Sequence, residues 1–261
     1  MPRPTHARIS TPAANTPTSS IRGLGQPIAV SRSRSTPPAV LFDIDGTLVD
    51  SNYLHVHAWN RAFAEVGIPV EAWRIHRSIG MDGGTLVSTL ADDPDEGTRQ
   101  RLKDLHSRYY KEMTPELRRL PGARELLEAV NKLELQVVLA TSAPEDELSI
   151  LREVLDSDHL VSVVTSSADV ETAKPHPDII EVALDRAGVP AAHAVFVGDA
   201  VWDVVACRRA GVETVGLLSG GVSQAELESA GAARVFQNPL ELCQHLDDTP
   251  IAALANIVGS R

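Results

Sequence analysis

Val40-Leu41-Phe42-Asp43-Ile44-Asp45-Gly46-Thr47-Leu48-Val49-Asp50 is the stretch that decides the fold. Its apolar start, residues 39–42, is typical of a strand buried on both faces of a sheet. Two carboxylates follow directly, and ligand sites in open α/β sheets lie at the carboxyl ends of the strands. Because neighbouring acids repel each other, their placement together indicates a cation or a reaction that uses them.

Composition limits the kinds of protein that this chain can be. Its 261 residues, 43% of them apolar, suffice for one large domain or for one domain with an insertion. The formal net charge of -11 argues against nucleic acid or an anionic membrane as a partner. Cys207 and Cys243 have no metal-ligand spacing, and no apolar run approaches the roughly 20 residues of a membrane span. We therefore expect a cytoplasmic protein with reduced cysteines.

Residues 1–36 differ from the rest of the chain. They contain many Ser, Thr, Pro and Arg residues but no Asp or Glu. Such a segment cannot bury enough apolar surface to order itself, which predicts a disordered N-terminal tail or an extended start. An organelle transit peptide has the same composition and is the alternative interpretation.

Strands and helices alternate in the second half of the chain. Apolar runs at 136–141, 160–165, 194–197, 214–218 and 234–236 predict strands, and helical patterns lie between them. This alternation predicts an α/β fold with a doubly wound, Rossmann-like parallel sheet.

Residues 51–118 carry only helical patterns, separated by loops rich in Gly, Asp and Pro. They therefore predict a helical cap domain inserted after the first strand. The core domain is expected to comprise residues 37–50 and 119–247, and residues 248–261 are expected to form a C-terminal tail.

Polar side chains of a particular kind follow four of the predicted strands. The carboxyl ends of parallel strands meet at one edge of a sheet, so these side chains are expected to share a pocket. They are Asp43 and Asp45, Thr141 and Ser142, Lys174, and Asp199 with Asp203.

This set of side chains fits phosphoryl transfer. Carboxylates can hold Mg²⁺, and one of them can attack phosphorus to give an aspartyl-phosphate. A hydroxyl and a lysine can balance the charge of the phosphoryl oxygens, while a second acid moves the proton of the leaving group. Taken singly, each of these residues is more often a helix cap or a solvated charge.

The ordered combination resembles the haloacid dehalogenase superfamily. The resemblance is carried by Asp43-x-Asp45-Gly46-Thr47, the Thr141-Ser142 strand end, the Lys174-Pro175 turn and Gly198-Asp199-x-x-x-Asp203. It covers residues 38–245, and the helical insertion resembles the C1 cap of this superfamily. The most similar subgroup comprises phosphoglycolate phosphatases and β-phosphoglucomutase-like enzymes.

The resemblance implies a role for each motif residue. It makes Asp43 the nucleophile and a Mg²⁺ ligand, and Asp45 the general acid and base whose backbone carbonyl also binds Mg²⁺. Thr141, the backbone N–H of Ser142, and Lys174 would bind the phosphoryl group. Asp199 would be a direct Mg²⁺ ligand, whereas Asp203 would act through a water or by holding Lys174.

The position of Asp45 separates reaction classes within the superfamily. The resemblance implies that dehalogenases lack an acid there and that phosphonate hydrolases have a small residue. Asp45 therefore favours phosphate esters over C–halogen or C–P bonds.

A phosphosugar mutase that uses the same intermediate is the first alternative to a phosphatase. His55 and Trp59 resemble the hinge helix of the mutases, although a lone helical histidine is usually structural. Two departures favour hydrolysis: Gly83-Gly84 stands where the mutases carry an arginine, and Pro144 where they carry a lysine.

Four cap residues, His55 and three others, are candidates for contact with substrate, each with a plainer alternative. Arg74 and Arg77 could bind an anion or be surface arginines, and Met81 could touch substrate or only pack. The sequence thus predicts a Mg²⁺-dependent phosphatase, monomeric or homodimeric, that acts on a small phosphorylated metabolite. A receiver-like phospho-aspartate signalling domain is the remote alternative, but such domains are about half as long and have no helical insertion.

Overall fold

The computed structural model describes residues 36–170, 172 and 174–259. The expectations for the N-terminal tail and its alternatives therefore lie outside the described residues, apart from Thr36. Eight strands are present in this part: β1 Ala39–Phe42, β2 Val49–Asp50, β3 Arg118–Arg119, β4 Gln136–Ala140, β5 Val161–Thr165, β6 Ala194–Gly198, β7 Glu213–Leu217 and β8 Arg234–Phe236.

Eleven α-helices accompany these strands in the described part of the chain. Four of them, α1 to α4, form the insertion between β2 and β3. They are α1 Asn52–Val66, α2 Ala72–Ser78, α3 Gly83–Leu90, α4 Glu96–Met113, α5 Ala123–Lys132, α6 Glu145–Leu155, α7 Asp178–Ala187, α8 Val201–Ala210, α9 Gln224–Ala230, α10 Pro239–Gln244 and α11 Pro250–Gly259.

Six parallel strands form the main sheet in the order β5-β4-β1-β6-β7-β8. The central strand β1 pairs with β4 on one side and with β6 on the other. Its side chains alternate between two apolar layers: Val40 and Phe42 enter one, Ala39 and Leu41 the other. All four residues are fully buried, as their continuous apolar pattern predicts. The predicted α/β fold with a helical insertion is confirmed.

Helices α1 and α4 form the centre of the cap. The apolar face of α1 carries Trp59 and Phe63, and that of α4 carries Leu102 and Tyr110, all of them buried. Helix α1 ends at Gly67, whose φ of 80° closes the helix in the left-handed region. The cap core therefore comes from amphipathic helices that need each other to bury one face each.

A short antiparallel ribbon of β2 and β3 joins the two ends of the insertion. Each strand has two residues, too few to show an alternating pattern in the sequence. The ribbon lies where the chain enters and leaves the cap. The residue boundaries of the two domains stay a prediction.

The C-terminal segment differs from the expected tail. Helix α11 covers residues 250–259, and its side chains Ile251 and Leu254 are buried against the core. Pro250 at the first helical position and apolar residues three apart are signals that sequence analysis left unused. No helix in the described ranges is long and apolar enough to span a membrane.

Candidate active site

The carboxyl ends of β1, β4 and β6 bring the predicted motif residues to one edge of the sheet. Asp43 follows β1, Thr141 follows β4, and Asp199 follows β6, and all three are almost fully buried. The backbone N–H of Asp43 donates to the carbonyl of Val197, so the strand pairing continues one residue into the site. Sheet geometry therefore fixes the positions of these side chains.

Lys174 is the cation of this carboxylate cluster. Its Nζ lies 2.7 Å from Oδ1 of Asp43 and 2.8 Å from Oδ1 of Asp203. Burial alone would lower the pKa of Lys174, but the charges of Asp203 and Asp43 outweigh it and raise the pKa. Lys174 is therefore protonated and holds the Asp43 carboxylate in one orientation.

Asp203 is fixed from two sides. Its Oδ2 accepts hydrogen bonds from the backbone N–H groups of Asp199 and Ala200, at the start of α8. Its Oδ1 faces Lys174. Of the two roles that the resemblance left open for Asp203, this geometry supports holding Lys174.

Three buried carboxylates form a group that fits a metal ion. Asp43, Asp199 and Asp203 each present an oxygen within 4.8 Å of the others. Burial raises the pKa of Asp43 to about 7, and burial with the charges of Asp203 and Asp43 raises that of Asp199 well above its usual value. One lysine does not compensate three acids, so the donor set, made only of oxygens, suits a hard divalent cation.

Two further residues orient Asp199: Thr47, which belongs to the first motif, and Asn52, which sequence analysis missed. Thr47 Oγ1 donates to Asp199 Oδ1, and Asn52 Nδ2 donates to Asp199 Oδ2, both at 2.8 Å. Gly46, with φ of 70°, turns the chain so that Thr47 and α1 can reach Asp199. A Cβ at Gly46 would lie 2.3 Å from Asn52 Nδ2 and 2.5 Å from Asp199 Oδ2, so only glycine fits this turn.

Asp45 is held in a different environment from Asp43. It accepts a 2.6 Å hydrogen bond from Ser51 Oγ, and His55 Nε2 lies 3.2 Å from its Oδ1. Burial alone would raise the pKa of Asp45, but the contacts with His55 and Ser51 outweigh it, and the pKa is lowered. The same contact raises the pKa of His55 against the effect of its burial. The proton between Asp45 and His55 therefore resides on His55, and the Asp45 carboxylate accepts a hydrogen bond from it.

A ring stack from both long cap helices supports His55. Its ring lies parallel to that of Tyr110, with centroids 4.0 Å apart, and its Nδ1 is 3.1 Å from Nε2 of His106. His106 in turn stacks on Trp59. Burial and the charge of His55 lower the pKa of His106 well below its usual value, so His106 is neutral. His106 lies about fifty residues beyond His55, and no local pattern in the sequence links the two.

Thr141 and Ser142 directly follow β4. The Thr141 Oγ1 accepts a 3.1 Å hydrogen bond from the backbone N–H of Ala143, which leaves its O–H free to donate. The Ser142 Oγ is buried and has no partner within the described residues. Both residues line the cavity between the cap and the sheet edge, as is expected of phosphate-binding residues.

A cavity of about 530 Å³ lies between the cap and the sheet edge. The motif residues Asp43, Asp45, Thr141 and Lys174 form its floor. Met81 and His55 also line it, so two of the four predicted cap contacts reach the cavity.

The two cap arginines do not line the cavity. Arg77 forms an ion pair with Glu226, and Arg74 Nη1 lies 3.5 Å from Glu71. Both arginine side chains are 40% exposed or more. Their alternative interpretation as surface residues therefore describes them better than an anion-binding role.

Comparison with known proteins agrees with this geometry. A phosphoglycolate phosphatase of Rhodospirillum rubrum is 32% identical over 212 residues, 77% of this chain and 88% of that protein. The crystal structure of a hydrolase from Pseudomonas syringae is 40% identical, with a TM-score of 0.78 over 81% of this chain and 98% of that one. β-Phosphoglucomutase of Clostridium difficile shares the fold, with a TM-score of 0.72 at 20% identity over 86% and 100% of the two chains.

The family assignment follows from a match that covers most of the chain. The haloacid dehalogenase-like hydrolase family matches residues 40–217, a range that contains all four motifs predicted from the sequence. Together with the 32% identical phosphatase, this match shows that the chain belongs to the haloacid dehalogenase-like hydrolases.

Proposed function

We propose that this phosphoric monoester hydrolase transfers the phosphoryl group of a small phosphorylated metabolite first to Asp43 and then to water, with Mg²⁺ as its metal. The observation that carries the proposal is the contrast between the two acids. Asp43 is held by Lys174, whereas Asp45 shares a proton with His55. One carboxylate is thus arranged to attack and the other to move a proton.

In the first step, a carboxylate oxygen of Asp43 attacks phosphorus and the bond to the leaving oxygen breaks. The Asp45–His55 pair gives its proton to that leaving oxygen. Lys174 and the free O–H of Thr141 offset the negative charge of the phosphoryl oxygens. The products of this step are the free alcohol and an aspartyl-phosphate at Asp43.

In the second step, water attacks phosphorus and the bond to the Asp43 oxygen breaks. The water proton returns to the Asp45–His55 pair, which restores the starting protonation state. Closure of the cap over the cavity would limit this attack to one positioned water.

Asp43, Asp199 and the backbone carbonyl of Asp45 are the groups that would hold Mg²⁺. When bound, the cation neutralises charge on the carboxylates and on the phosphoryl group. Thr47, Asn52 and Asp203 position these ligands through the contacts described above.

The phosphatase assignment is favoured over a mutase. Gly83, Gly84 and Pro144 line the cavity at the positions where the mutases would carry basic residues. A β-hexose 1-phosphate is therefore expected to release free phosphate rather than form the 6-phosphate isomer. A receiver-like domain is not supported, because the helical cap is present and the chain belongs to a hydrolase family. The cytoplasmic location and the monomeric or homodimeric state stay predictions.

Phosphate release from p-nitrophenyl phosphate tests the proposal. Removal of metal by EDTA should abolish turnover and Mg²⁺ should restore it. Asp43→Asn should lower kcat by about 1,000-fold or more, because the nucleophile is lost. Asp185→Asn, an exposed acid on α7, is the matched control and should keep full activity. Turnover in EDTA, or substantial turnover by Asp43→Asn, would contradict the proposal.

A further inference from the structure

Outside the catalytic motifs, the charged lining of the cavity is mostly acidic. Four carboxylates line the cavity there, and among the described residues one lysine does so. The acids are Asp82, Asp104, Asp146 and Glu147, and the lysine is Lys103. No arginine of the described residues lines the cavity. A second anionic group on the substrate would therefore meet a wall of its own charge.

Three of these acids have partners that explain their presence. Asp82 caps α3 by accepting from the backbone N–H of Gly84, and Asp104 accepts from Gln100. Asp146 forms an ion pair with Lys111. These three side chains thus have structural roles whether or not a substrate is bound.

Glu147 is the exception. Its side chain is 3% exposed, yet within the described part of the chain it makes no hydrogen bond and no ion pair. It lies in the first turn of α6, directly after the Thr141-Ser142 motif, and it lines the cavity. Burial raises its pKa to about 7, because the charges of His55 and Lys111 offset the burial only in part. Because this side chain lines the cavity, a bound group can supply the hydrogen-bond partner that the protein does not.

Lys103 does not offset Glu147. Lys103 is exposed on α4 of the cap, whereas Glu147 is buried on α6 of the core, and Lys103 is not among the charges that act on Glu147. The cations whose charges act on Glu147 are His55 and Lys111, and each has another carboxylate partner: His55 pairs with Asp45 and Lys111 with Asp146. The buried part of the wall therefore offers a hydrogen-bond acceptor, and no free cation among the described residues lies beside it.

We propose that Glu147 accepts a hydrogen bond from an ammonium or hydroxyl group of the leaving alcohol, so that the preferred substrate is the phosphomonoester of an amino alcohol or polyol rather than of a second acid. The inference rests on the proposed phosphatase function and names the substrate class of the same site. It sets this chain apart from relatives named for phosphoglycolate, whose leaving group carries a carboxylate.

Three esters of matched length test the inference, because they differ in the charge of the distal group. They are O-phosphoethanolamine, 2-hydroxyethyl phosphate and 2-phosphoglycolate. For each we would measure kcat/KM by phosphate release, and Ki as a competitor of p-nitrophenyl phosphate, so that an ester that is not turned over still reports binding. The wild type should favour one or both of the first two over 2-phosphoglycolate by at least about tenfold. The comparison of O-phosphoethanolamine with 2-hydroxyethyl phosphate shows whether the preferred leaving group is an amino alcohol or a polyol.

In the variant Glu147→Gln, the ratio of kcat/KM for the preferred ester to kcat/KM for 2-phosphoglycolate should fall about tenfold. The main cause should be a rise in kcat/KM for 2-phosphoglycolate. Glu153→Gln, an exposed residue on the same helix, is the matched control and should leave it unchanged. A wild-type preference for 2-phosphoglycolate would overturn the inference, as would an equal effect of Glu147→Gln on all three esters. The wild-type series alone decides if the variant does not fold. Absence of turnover of p-nitrophenyl phosphate with Mg²⁺ would instead count against the phosphatase function.

Discussion

At the scale of single residues, environment gives two neighbouring acids different chemistry. Asp43 is bound by a buried lysine, while Asp45 is bound by Ser51 and His55. Burial raises the pKa of Asp43, but hydrogen bonds lower that of Asp45. Two carboxylates two positions apart can therefore serve as nucleophile and proton carrier in one reaction.

Asp45→Asn tests the proton-carrier role. An alkyl leaving group needs a proton, so release of ethylene glycol from 2-hydroxyethyl phosphate should fall by about 100-fold or more. p-Nitrophenolate leaves without a proton, so its release in the first turnover should fall much less. Rapid-quench measurement of the first turnover checks both. Equal losses for the two substrates would contradict a proton-transfer role for Asp45.

The raised pKa of Glu147 predicts that the free energy of unfolding depends on pH. Its pKa is raised from 4.5 to about 7 in the folded chain, so the folded state holds a proton that the unfolded state releases between these values. The free energy of unfolding therefore falls as pH rises from 4.5 to 7, by about 3 kcal/mol for this group. Glu147→Gln should lack this part of the decline. Denaturant unfolding of both proteins in saturating Mg²⁺ at pH 5 and pH 8 gives the difference, and parallel pH profiles would contradict it.

At the scale of elements, the loop from β1 to α1 places the metal-binding side of the site. The turn at Gly46 lets Thr47 and Asn52 reach Asp199. Gly220, after β7, also packs closely against Asp199, because a Cβ at position 220 would lie 1.8 Å from Asp199 Oδ2. Two loops thus pack against one carboxylate with no space for a side chain.

Gly46→Ala should damage both stability and metal binding. Positive φ and the overlap with Asn52 and Asp199 should cost about 2–4 kcal/mol of unfolding free energy. The Mg²⁺ concentration for half-maximal activity should rise. Gly67→Ala is the matched control, since φ is 80° there but no atom lies within 4 Å of a Cβ. It should cost about 1 kcal/mol and leave the Mg²⁺ requirement unchanged. Equal Mg²⁺ requirements in both variants would contradict this role of Gly46.

Sequence patterns predicted elements well where a local signal existed. Helix α1 ends at Val66, where the sequence offers a glycine, Gly67, for the left-handed position that closes a helix. The β2–β3 ribbon was missed because two-residue strands have no period, and its pairing joins residues about seventy positions apart. Helix α11 was missed although its apolar spacing was visible.

At the scale of the whole molecule, the sheet edge and the cap make one cavity from distant parts of the chain. The motif residues could be predicted because each directly follows a strand, and parallel strands bring such positions together. His106 could not be predicted, since its contact with His55 depends on how two cap helices pack against each other. Glu147 and the Arg77–Glu226 ion pair could not be predicted either, since they depend on how the cap lies over the core. The chemistry was thus visible in the sequence, but the substrate-facing wall needed the fold.

The central claim is that Asp43 carries the phosphoryl group during turnover. Borohydride reduces an acyl phosphate to an alcohol, so treating the enzyme during turnover with Mg²⁺ and p-nitrophenyl phosphate should convert residue 43 to homoserine. Peptide mass spectrometry would locate the change, with enzyme lacking substrate and Asp43→Asn as controls. We predict homoserine at position 43 and at no other aspartate. Steady turnover with residue 43 unmodified, or homoserine at another position, would contradict the account.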